Sequence, residues 1–139
     1  MENAEALAQF LNRTNPAHVV NFSMFLHKEV PLYQDIRQGT FVPADELETI
    51  REEYHLIERI APEKAGANIL YDGFHDFIHV RVRGHLPGDK EKMLAKLNGI
   101  IQEYEGKEPV YSFCTGGECP DLEYCDDGKA VWDMDRKTS

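Results

Sequence analysis

The sequence has no apolar run approaching the roughly 18 residues that a membrane-spanning helix requires, so no membrane contact is expected. Basic residues are scarce: 15 Lys and Arg stand against 25 Asp and Glu, a formal net charge of -10. That balance argues against broad nucleic-acid binding, which depends on neutralising phosphates. Cysteine is scarce as well. Cys114, Cys119 and Cys125 crowd into one short stretch, and an odd, clustered set fits a reducing compartment better than a disulfide framework. The first residues, MENAEALAQFLNRTN, put no basic segment ahead of an apolar one, so they do not read as a secretory signal and the cytoplasm is the expected location. Internal repeats, low-complexity tracts, a phosphate loop, a catalytic triad and an evident carboxylate pair are all missing.

What is there is one domain's worth of chain. At 139 residues it can bury about two-thirds of its unfolded surface, so neither a disulfide nor a metal is needed for folding. Residues 1–139 read as a single α+β domain, with residues 1–15 as an N-terminal helical arm and 118–139 as a C-terminal hairpin extension.

Taken in order, Ala4, Leu7, Ala8 and Leu11 fall at helical spacing, and Asn12 can stop that helix. Residues 18–27, HVVNFSMFLH, alternate apolar and polar and read as a strand, although Asn15-Pro16 would also suit a helix start. Residues 28–42, with Pro31 and Gly39, read as a long loop. Residues 44–60 are the firmest helix: Leu47, Ile50, Tyr54 and Ile57 repeat at three and four, and Asp45 and Glu46 lie in the first turn, where the helix dipole favours them. A short apolar run over residues 67–71 leads through Asp72-Gly73, a hairpin signal, into a second strand. Asp89 can cap a further helix carrying Met93, Leu97, Ile100 and Tyr104. Gly99 within it predicts another backbone passing close by. A strand at Pro109 to Cys114 and a hairpin around Asp126-Asp127-Gly128 complete the chain. The order strand, helix, strand, strand, helix, strand predicts a ferredoxin-like split βαβ antiparallel sheet with two helices on one face.

Two stretches carry candidate chemistry. From Tyr71 to His85, YDGFHDFIHVRVRGH, strict alternation puts His75, Phe77, His79, Arg81 and Arg83 on one face, with His85 just beyond. Arginine presents a fork of donors suited to carboxylate or phosphate, and histidine titrates near neutral pH. A basic ladder on an acidic chain invites an anion, so this face is expected to bind a small anionic ligand or an acidic protein partner. His75 and His79 would lie about 13 Å apart on an extended strand, too far to share a metal. The bland alternative is a solvated face whose arginines pair with the protein's own carboxylates.

The second stretch is FCTGGECPDLEYC. Cys114 at a strand end, followed by Thr115, Gly116 and Gly117, could set a thiolate beside a nest of backbone N–H groups. This run resembles the cysteine loops of rhodanese-type sulfur-transfer domains, which implies thiol or sulfur-transfer chemistry at Cys114. It departs from them in having no helix signal after the loop and in placing Glu118 where positive charge would help. Buried strand packing is the plainer role for Cys114. The spacings of Cys114, Cys119 and Cys125 suit a metal poorly.

The leading expectation is therefore a ligand-binding or partner-binding domain that forms a homodimer, with no cofactor identified. One alternative is an enzyme using Cys114 as nucleophile, with His79 or His75 as acid or base and the arginines holding an anionic substrate. Another is an adaptor or inhibitor that offers its acidic C-terminal stretch to a basic partner.

Overall fold

In the computed structural model, which describes residues 2–22, 30–75 and 80–110, the chain divides into two compact units: Met1–Ser23 with Asp45–Val110, and Met24–Ala44 with Tyr111–Ser139. The described elements are α1 (Glu2–Thr14), β1 (His18–Phe22), α2 (Pro31–Gln38), α3 (Glu46–Arg59), β2 (Ile69–His75), β3 (Val80–Leu86) and α4 (Lys90–Tyr104). The architecture is α+β, and no helix among the described residues is long and apolar enough to cross a membrane.

All elements but α2 belong to the first unit. Helix α1 buries Ala4, Ala8 and Leu11 and ends where Asn15 takes a left-handed φ of 47°. The Asn12 side chain then ties it to the end of α3, accepting from the Ala61 N–H at 2.7 Å and donating to the Arg59 carbonyl at 3.0 Å. Helix α3 begins in a capping box: Asp45 accepts from the Glu48 N–H, and the Glu48 side chain accepts from the Asp45 N–H. The core joins α1, α3 and α4 to one side of the sheet through Ile50, Leu56, Ile57, Ile69, Tyr71, Val82, Leu86, Met93 and Leu97.

The described strands run in the order β1-β2-β3, with β1 parallel to β2 and β2 antiparallel to β3. This corrects the split βαβ expectation. In a split unit another strand separates the two parallel ones, whereas here β1 and β2 pair directly, His18 opposite Leu70 through Phe22 opposite Phe74.

Three further expectations are corrected. Asp72-Gly73 is no turn but the middle of β2; the chain reverses between His75 and Val80, which are cross-strand partners. Residues 31–38 form a helix rather than loop, with Pro31 in its first turn and Gly39 closing it at φ 73°, the arrangement that pairs proline at the start with glycine at the end. Among the described residues Gly99 meets nothing within 4 Å of where a Cβ would sit, so none of their backbone passes it. The strand expectation for residues 18–27 holds for His18–Phe22. The strand at Pro109 to Cys114 lies outside the described residues beyond Val110, as does the C-terminal hairpin.

Candidate functional site

Alternation along α3 explains the first feature of the unit. Glu46, Ile50, Glu53 and Ile57 share the buried stripe, because steps of three and four keep residues on one helical face. Glu46 is 1% and Glu53 2% exposed. Opposite them, β2 turns Tyr71, Gly73 and His75 toward the core, since alternate residues of a strand share a face.

His75 is held between the two glutamates. Its Nε2 lies 3.0 Å from Glu53 Oε2 and its Nδ1 3.5 Å from Glu46 Oε2. The Tyr71 hydroxyl donates to Glu53 Oε1 at 2.9 Å and accepts from Asn21 Nδ2 at 2.9 Å. A single network thus runs from β1 through β2 to the first turn of α3. Burial pulls the His75 pKa down, but hydrogen bonding with Glu46 and Glu53 and the charges of both carboxylates outweigh it and hold the imidazole near 9. Burial first, and then the charge of Glu53, raises the Tyr71 hydroxyl far above its ordinary value. Gly73 makes room: a Cβ there would stand 1.8 Å from Glu53 Oε1, so only glycine lets the carboxylate lie against β2. The two ring nitrogens of His75 address different carboxylates, so the donors do not converge on one point. No group of three or more His, Cys, Asp or Glu among the described residues could hold a metal ion.

The other side of the sheet is open. Its grid follows from the register: Phe22, Phe74 and Arg81 in one row, Val20, Asp72 and Arg83 in the next, and His18, Leu70 and His85 in the third. Phe22, Val20 and Phe74 are 63%, 52% and 37% exposed, and the two phenyl rings stack 5.7 Å apart. Asp72 accepts two hydrogen bonds from Arg81, at 2.9 Å from Nε and 2.8 Å from Nη2, and has Arg83 Nε at 3.8 Å. The Arg81 hydrogen bond holds the Asp72 carboxyl below its usual range.

Beside this grid Arg81, Val82 and Arg83 of β3 and Lys92, Met93 and Lys96 of α4 line a cleft of about 380 Å³. Lys96 donates to the Arg81 carbonyl.

The sequence-derived site residues therefore part company. Arg81 and Arg83 lie on the open face, and His85, expected just beyond the strand, lies there with them. His75 does not, and its assignment to the basic ladder is corrected: as the partner of Val80 it shares the buried face with Val80 and Val82. One uninterrupted strand from Phe74 to Arg83 would have kept His75 with Arg81, but a reversal between positions 75 and 80 changes the parity. His79, Cys114, Thr115, Gly116, Gly117, Cys119 and Cys125 lie outside the described residues.

The reading from sequence missed Glu46, Glu53, Lys92 and Lys96. A signal for Glu53 exists: it stands three residues after Ile50 and four before Ile57, inside the apolar stripe. Lys92 and Lys96 are four apart on α4 and flank Met93, but which edge they face depends on the packing. Compared with models of protein families, with curated proteins and with solved structures, the chain matches none.

Proposed function

We propose that the first unit is a binding module whose open sheet face and adjoining cleft take an anionic partner. The observation that carries this reading is the gathering of Arg81, Arg83, Lys92 and Lys96 around one cleft on a chain of net charge -10. Asp72 offsets part of that charge by occupying Arg81. Among the described residues Lys92 makes no hydrogen bond or ion pair, and Lys96 spends one donor on a carbonyl. A cleft of about 380 Å³ accommodates a few side chains or a small anion, since ligand pockets run from about 300 Å³ upward.

Titration calorimetry with pyrophosphate at low ionic strength tests the reading. Binding should weaken at least tenfold in the Lys92→Ala, Lys96→Ala double variant and fall further as salt is raised, because exposed charges are screened. No binding at low salt, or binding indifferent to both lysines, would overturn it.

The apolar side of the same face favours a second, compatible reading. Val20, Phe22 and Phe74 stand exposed together, which suits coverage by a second copy in a homodimer. Sedimentation should then show a dimer that Phe22→Glu dissociates; a monomer at every concentration contradicts this.

A further inference from the structure

Resting on the anion-binding reading, we infer that the partner is an extended acidic polypeptide segment that adds a strand to the outer edge of β3. Among the described residues β3 is one of the two outer strands of the sheet, the one beside the basic cleft. Its backbone polarity can be read from the contacts. The Arg81 carbonyl accepts from Lys96, the His85 N–H donates to Asp89 Oδ2 at 2.7 Å, and the His85 carbonyl accepts from the Asp89 N–H at 2.7 Å. At positions 81 and 85, then, the backbone groups point away from β2. Residues of an antiparallel strand alternate in this respect, so the N–H and carbonyl of Arg83 point outward too, into the cleft. Among the described residues neither group takes a partner outside the sheet, and the Arg83 side chain faces Asp72.

An incoming strand would find both of its faces matched. Its side chains over the open face would lie beside Arg81 and Arg83, while those in between would reach Val82 and Met93, flanked by Lys92 and Lys96. That pattern selects carboxylates alternating with apolar residues, and strand addition supplies affinity through main-chain hydrogen bonds and specificity through alternate side chains. Lys96 holds the place at the Arg81 carbonyl that an incoming N–H would take. Lysines at sheet edges discourage pairing with neutral strands, whereas a segment bearing carboxylates can draw the ammonium onto itself and release the carbonyl.

The test uses the full chain and a blocked ten-residue peptide alternating Glu and Val, beside a version of it N-methylated at every second residue, on the edge that would pair. Solvent exchange of the Arg83 amide is followed by NMR. The plain peptide should slow that exchange at least tenfold, and the methylated peptide should bind at least tenfold more weakly, because it keeps the charge but loses the N–H donors. Equal binding of the two peptides, or unchanged exchange at Arg83 with the plain peptide bound, overturns strand addition. Pyrophosphate binding without peptide binding also overturns it while leaving the anion site standing. Failure of both pyrophosphate and peptide removes the underlying reading as well.

Discussion

The two sides of the sheet carry near mirror images of one chemical idea. Inside, a histidine sits between two carboxylates, Glu46 and Glu53; outside, the carboxylate of Asp72 sits between two cations, Arg81 and Arg83. Both sets are fixed by strand register: His75 and Asp72 stand three positions apart on β2 and so point to opposite faces. Their consequences differ because of water. Outside, solvent screens the pairs and offers every group an alternative partner, so the pairs contribute little stability. Inside, no solvent replaces a lost partner, and the surviving group is stranded. The buried set is therefore a structural clasp between β2 and α3, and the open set is free to exchange partners, which is what binding requires.

Removing one buried partner has the largest expected effect. Glu53→Ala takes the Nε2 partner from the buried His75 imidazole and the acceptor from Tyr71, and should cost about 3–5 kcal/mol of unfolding free energy in urea. A loss near zero would mean that water reaches the network. The pH dependence comes next. An imidazole held near 9 when folded, against about 6.5 when unfolded, binds its proton more tightly in the folded state. The stability it contributes, about 3 kcal/mol, is complete below pH 6.5 and is lost as pH rises through 9. His75→Gln should flatten that part of the stability profile.

The two glycines sharpen the comparison. Gly73→Ala drives a Cβ into Glu53 and should destabilise by about 1–3 kcal/mol, as overpacking does. Gly99→Ala, with open space around it, should stabilise by about 1 kcal/mol through helix propensity. Smallest in stability is Asp72→Asn on the open face. It should move the unfolding midpoint far less than any buried change, yet tighten pyrophosphate binding roughly three- to tenfold by freeing both arginines from a nearby charge.

The helices were legible because their apolar residues recur at three and four: Ile50 and Ile57 of α3, and Met93 and Leu97 of α4, are all buried. The first strand was legible as far as Phe22. The site was legible only in part, and two residues show why. Gly73 follows Asp72 and looks like a hairpin turn, but its lack of a side chain serves the approach of a carboxylate from another element, a use that leaves no local mark. His75 looks continuous in alternation with Arg81, and alternation is reliable only while a strand continues; the reversal before Val80 moved it to the other side. Glu46 was assigned to the helix dipole by its position in the first turn, and that placement is compatible with burial. Lys92 and Lys96 became part of the cleft only once α4 was laid along β3, a tertiary fact.

The most direct measurement is a set of ¹H–¹⁵N spectra, backbone amides and histidine rings together, recorded while pyrophosphate is added at neutral pH. The two-sided account predicts shifts at Arg81, Arg83, Lys92 and Lys96, with the His75 ring protonated throughout and unmoved. Shifts centred on His75, Glu46 and Glu53 with the β3–α4 cleft silent would contradict it.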